Sequence, residues 1–173
     1  MAGTDNIILI GMPGSGKSTL GVVLAKIIGY DFLDVDILMQ NQCGTTLPKL
    51  IEEKGAEGFI EVEGDVAHGI EAERTVISPG GSIVYSDAAM RHLAEIGTIV
   101  YLRISLEELE IRLGGLHERG VVMREGMGEL MDIYRERLPL YERYAEVTLD
   151  VDGLTVRDAA AELVERLSLT ALR

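Results

Sequence analysis

The chain has one cysteine, Cys43, among 173 residues. An internal disulfide and a multi-cysteine zinc site are therefore excluded, and a cytoplasmic setting is the default expectation. Cys43 itself is expected to be a small buried hydrophobe. The three histidines, His68, His92 and His117, are not at metal-ligand spacing. Basic residues are scarce, with 16 Lys+Arg against 29 Asp+Glu and a net charge of −13. Such a chain is a poor partner for nucleic acid or an anionic membrane, so any phosphate must be held by a few local groups. No apolar run reaches the ~18 residues of a membrane span. No basic region precedes the first apolar stretch, so no secretory signal is expected. Low-complexity tracts, internal repeats and dividing linkers are absent too. What is there is 47% hydrophobic, which suffices for one domain over residues 1–173 with a real core.

Residues 6–10 are rich in β-branched side chains and stop at Gly11, which predicts a buried strand. Leu20, Val23, Leu24 and Ile27 recur at helical spacing over 17–28, and Gly29 ends that helix. Further strands are expected at 31–34, 75–78, 98–102 and 147–151. Helices are expected at 37–42, 47–54, 57–73, 88–95, 106–113 and 156–167, with a charged helix running to about 144. The five glycines of 114–128 predict a mobile segment. Strands alternating with helices imply an α/β fold of three layers, a five-stranded parallel sheet with helices on both faces.

Gly11-Met12-Pro13-Gly14-Ser15-Gly16-Lys17-Ser18 matches G-x-x-x-x-G-K-[ST] in full, after a strand and before a helix. Gly11, Gly14 and Gly16 let the backbone, Ser15 included, fold around an anion. The helix N-terminus adds partial positive charge. Lys17 can reach the β- and γ-phosphates, and the Ser18 hydroxyl can ligate Mg²⁺. The plainer alternative is a glycine-rich turn with no ligand. No N-K-x-D motif marks a regulatory GTPase, and the chain is short for a motor or transporter ATPase. A small-molecule kinase is the class left.

Several spaced motifs carry a further resemblance. Thr19 and Gly21 follow the phosphate loop, and Phe32-Leu33-Asp34-Val35-Asp36 is similar to F-x-D-x-D. Residues 55–63 resemble G-E-x-x-F-R-x-x-E, and 76–82 resemble V-I-x-T-G-G-G. Arg112 and Arg119 sit like paired lid arginines, and Arg137-Leu138-Pro139-Leu140-Tyr141 is close to R-x-P-L-Y. Over about residues 6–151 the chain resembles the shikimate kinase family. The resemblance implies a P-loop nucleoside-kinase-like fold with an acceptor-binding insertion near 34–63 and a lid near 112–126. It implies transfer of the γ-phosphate of ATP, with Mg²⁺, to a hydroxyl of a small carboxylate-bearing metabolite, shikimate first.

In that resemblance Asp34 orients Mg²⁺ through water and Asp36 takes the acceptor's hydroxyl proton. Arg112 packs near adenine, Arg119 contacts the moving phosphate, and Arg137 grips the acceptor carboxylate. The residues alone support part of this. Asp34 and Asp36 fall at the carboxyl end of a strand, where open α/β sheets bind ligands. Strand alternation would put both carboxylates on one side; a solvated acidic turn or a helix N-cap is the competing reading. Gly80 and Gly81, followed by Ser82, let backbone N–H groups approach a substrate, or form a plain turn. The arginines could clamp a phosphate, stack on a base or simply face solvent.

The chain departs from the family on the acceptor side. Ile60 stands where the second carboxylate-gripping arginine would be, and Ser82 where the third glycine would be. Pro79 replaces threonine, Gly120 a lid proline and Ala56 a glutamate. Loss of the arginine removes a charged hydrogen bond worth ~1.5–3 kcal/mol. Glu57 and Glu61 flank Ile60; facing the cavity they would suit an ammonium-bearing acceptor such as homoserine, and otherwise they are a solvated helix face. Gluconate is a further alternative, and so is a nucleotide-binding regulatory module without turnover. A monomer is the default expectation, with no nucleic-acid or membrane partner.

Overall fold

The computed structural model describes residues 5–113 and 130–170. Strands β1 (Asn6–Ile10), β2 (Asp31–Asp34), β3 (Thr75–Ser78), β4 (Gly97–Arg103) and β5 (Val147–Asp150) form one sheet in the order β2-β3-β1-β4-β5. Every pairing is parallel. All five residues of β1 and all four of β3 are buried. A strand so buried is covered on both faces, which is why 7–10 of β1 reads as an unbroken apolar run. Full burial of a side chain such as Leu9 contributes about 1.5–3 kcal/mol.

The helices among the described residues are α1 (Lys17–Ile28), α2 (Val35–Cys43), α3 (Leu47–His68), α4 (Asp87–Ile96), α5 (Leu106–Leu113), α6 (Leu130–Tyr144) and α7 (Val156–Arg166). Helix α1 lies against β2, β3 and α7, while α4 and α6 lie against β4. None of the described helices is long and apolar enough to cross a membrane.

Two expectations need correction. Helix α3 is two helical stretches that meet at a kink at Gly55 (φ 70, ψ 178), in agreement with the separate stretches expected at 47–54 and 57–73, but the second ends at His68 and not at 73. Ile70 and Ala72 extend the apolar pattern in sequence, yet they lie in a loop. That loop is tied down by Asn6, whose Nδ2 donates to Ala72 O at 2.6 Å and whose Oδ1 accepts from Thr75 N at 2.9 Å. Cys43 is exposed. It continues the buried Val35 and Met39 spacing of α2, but the helix ends there and turns away at Gly44.

The β1 connection leaves toward β2 and the β3 connection toward β4, on the opposite side. A crevice therefore opens between the carboxyl ends of β1 and β3, the point at which α/β sheets bind ligands. A second apolar cluster of Met39, Leu50, Phe59 and Ile60 joins α2 to α3 beside it.

Candidate active site

The crevice holds a cavity of about 610 Å³. One wall is the phosphate loop between β1 and α1. Gly14 and Gly16 have φ of 86° and 95°, where any side chain would be strained. The first intrahelical bond of α1 runs from Leu20 N to Gly16 O, 2.8 Å. The N–H groups of Lys17, Ser18 and Thr19 thus have no acceptor within the helix. No acidic side chain occupies the first turn and no side chain caps it. Such a terminus suits an anion.

Lys17 is buried, its Nζ donating to Gly11 O (2.9 Å) and Met12 O (3.0 Å). Burial lowers its ammonium to about 8, with the Asp36 carboxylate acting against that fall. Arg112 stands at the loop's outer rim. It is paired with Glu108 at 2.7 Å and reaches Ser15 O at 3.5 Å. The expected lid and Arg119 lie outside the described residues, apart from Arg112 and Leu113 at the end of α5.

Asp34 and Asp36 come together, though not by strand alternation. The strand ends at Asp34, which caps α2: its Oδ1 accepts from Asp36 N (3.0 Å) and Ile37 N (3.2 Å). Its Oδ2 accepts from the Ser18 hydroxyl at 2.8 Å. The capping reading and the phosphate-side reading both fall on this one residue. Asp36 sits in the first turn of α2 and lines the cavity. Burial raises its carboxyl above the usual range, the Asp34 charge adds to that, and Lys17 opposes it.

The far wall comes from α3, the loop after β3 and α6. A methyl on Gly80 would collide with Glu63 Oε1 and lie 3.2 Å from Asp36 Oδ1. One on Gly81 would lie 2.7 Å from Pro13 Cδ and 3.1 Å from Arg137 Nη1. The paired glycines are what let α3, α6 and the phosphate loop converge. Arg137 is 1% exposed, with Nε donating to the Tyr85 hydroxyl at 3.3 Å. Tyr141 Oη donates to Gly81 O at 2.6 Å, tying α6 to the glycine loop. Ser82 lines the cavity, and its hydroxyl donates to Glu63 Oε2.

Glu57 and Glu61 are exposed and outside the cavity lining, so they do not suit it to an ammonium group. Ile60 packs into the second apolar cluster instead of lining the cavity. The residue missed as a site candidate is Glu63, which is fully buried and faces the cavity. Its cue is the closing glutamate of the 55–63 motif, and its place four residues after Phe59 puts it on the buried stripe of the helix.

A phosphate loop at the switch point of a parallel sheet, opposite a wall with a buried arginine, defines a P-loop kinase of the small-molecule class. Residues 13–168 match the sequence profile described as "Shikimate kinase". A shikimate kinase of Xanthomonas campestris pv. campestris is 33% identical over 165 residues, covering 94% of this chain and 92% of the relative. A shikimate kinase of Acinetobacter baumannii, solved in complex with shikimate, superposes with a TM-score of 0.86 at 29% identity, covering 95% of this chain and 93% of that one. The Aquifex aeolicus shikimate kinase gives 0.76 at 28%, covering 94% and 96%. The chain belongs to the shikimate kinase family.

Proposed function

We propose that this chain transfers the γ-phosphate of ATP to a hydroxyl of shikimate, with all of residues 1–173 acting as one kinase domain. The observation that carries the reading is convergence. The phosphate loop, Asp36 and buried Arg137 all line one cavity of about 610 Å³, a size suited to small ligands. In the step, the acceptor oxygen bonds to the γ-phosphorus as the bond to the β–γ bridging oxygen breaks. ADP leaves, and the hydroxyl proton passes to Asp36. Lys17 offsets charge on the phosphates, and Arg137 meets the acceptor carboxylate as a planar donor pair.

Ser18 and Asp34 offer a hydroxyl and a carboxylate oxygen beside the phosphate loop, a hard donor set that fits Mg²⁺. No three His, Cys, Asp or Glu side chains among the described residues form a metal cluster. Phosphate and water would complete the shell, as is usual for this ion. Bound there, Mg²⁺ would neutralise charge on the phosphates. Arg112, at the loop rim, would meet the base of the nucleotide. The single thiol fits a cytoplasmic setting.

The test is ADP release coupled to oxidation of a reduced nicotinamide reporter, with shikimate, homoserine and gluconate offered separately. Shikimate-dependent ADP is expected. ADP with homoserine or gluconate alone would replace the acceptor, and ATP binding with no acceptor-dependent ADP would leave a regulatory module. A second expectation concerns the acceptor wall. Gly80→Ala forces a methyl against Glu63 and Asp36, at a cost of about 1–3 kcal/mol. The shikimate KM should rise at least ~10-fold, with ATP affinity, read by calorimetry, changing far less.

A further inference from the structure

Among the described residues Glu63 Oε1 is a buried oxygen with no hydrogen-bond partner. The carboxyl is fully buried on α3, and its other oxygen accepts from the Ser82 hydroxyl. Oε1 lies against Gly80, on the side that Asp36 Oδ1 also approaches, so two carboxyl groups bracket one glycine. One turn back on α3 stands Ile60, an aliphatic side chain that supplies no counter-charge. Four groups face Glu63 from the surrounding elements: Asp36 of α2, Lys17 of α1, and Arg137 and Tyr141 of α6. The two cations already serve the phosphate and acceptor ends of the cavity. Two ionised carboxylates sharing a dry wall are costly unless one keeps its proton.

We propose that Glu63 stands in the acceptor wall as a neutral carboxylic acid, a positioning residue that keeps the wall's carboxylate charge on Asp36 alone. This rests on the anionic acceptor proposed above. A neutral Glu63 lets such an acceptor approach Arg137 without a second repelling charge, and it leaves Asp36 ionised to receive the proton. Burial pushes the Glu63 carboxyl up to about 7. The Ser82 bond works against that rise, Asp36 adds to it, and Arg137 and Lys17 oppose it. Below that pH the wall carries one carboxylate charge, and above it two. Acceptor affinity should therefore fall as pH rises through neutrality.

The experiment has two arms. The first measures the shikimate KM at pH 6.5 and at pH 8.5, each at saturating ATP. The wild type should show a rise of about 10- to 25-fold, the upper figure being that of an acid with a midpoint near 7 whose neutral form alone binds, and Glu63→Gln, the uncharged isostere, a ratio near one. The second follows the Glu63 carboxyl carbon by ¹³C NMR in glutamate-labelled enzyme without ligands, with Glu63→Gln identifying the signal. Titration near neutrality supports the neutral acid. Titration near the ordinary glutamate value of about 4.3 overturns it, as does a flat wild-type KM or a tenfold rise that survives in Glu63→Gln. Near-neutral titration without shikimate-dependent ADP at either pH would overturn the shikimate reading and keep the neutral acid. Shikimate turnover with a flat KM would do the reverse.

Discussion

Asp36→Asn is expected to lower kcat by about 10²–10⁴-fold, the usual worth of a positioned general base. The side chain keeps its size and its place in the first turn of α2, so the wall with Gly80 is preserved. What is lost is the capacity to accept the hydroxyl proton. ATP affinity should change far less, because the phosphate loop is untouched and Lys17 loses only one of the carboxylates that help hold its proton. Steady-state kinetics with shikimate varied, beside calorimetric titration of ATP, separate the two quantities. Equal losses in kcat and in ATP affinity would remove Asp36 from the acceptor side and make it part of the nucleotide site.

Lys17→Met should cost about 10²–10³-fold in kcat/KM for ATP, the scale found when one preorganised donor to developing charge is deleted. Burial of Lys17 near two loop carbonyls makes this cation a fixed one, and its reorganisation in the reaction is small. The same burial gives a pH signature. The free enzyme holds the ammonium below about 8 and loses it above. Phosphate binds the charged form, so the ATP KM of the wild type should climb above pH 8 and that of Lys17→Met should not. The expected Glu63 effect lies about one pH unit lower and shows in the other substrate's KM. Measuring both constants across pH 6–9 tells the two titrations apart. An ATP KM flat to pH 9 would remove the buried ammonium from phosphate binding.

The nucleotide side was legible because its physics is local. The turn, the helix N-terminus, Lys17 and Ser18 are neighbours in sequence, and eight residues suffice to write them. The acceptor side was legible only as separate fragments. Asp34 and Asp36 were found for the wrong reason, since a helix cap and not strand alternation brings them together. In sequence, Val66, Ala67 and Ile70 carry the helical spacing of 57–73 past His68. Asn6, far away in sequence, fixes that stretch as loop. Glu57 and Glu61 drew attention by type and spacing, yet both face solvent, and Glu63 two residues on is the one turned inward.

By itself the sequence determined the alternating strands and helices, the phosphate loop and the identity of every chemical group in the site, because each depends on residues a few positions apart. Only the tertiary structure decided which groups share a wall. The strand order places the ends of β1 and β3 side by side. Tyr141 then reaches across to Gly81 and fixes Arg137 over the cavity. The close approach of α3 to that loop leaves Glu63 dry beside Asp36. The reason is physical: burial, and with it the charge a carboxyl can carry, is set by what packs around a side chain from distant parts of the chain.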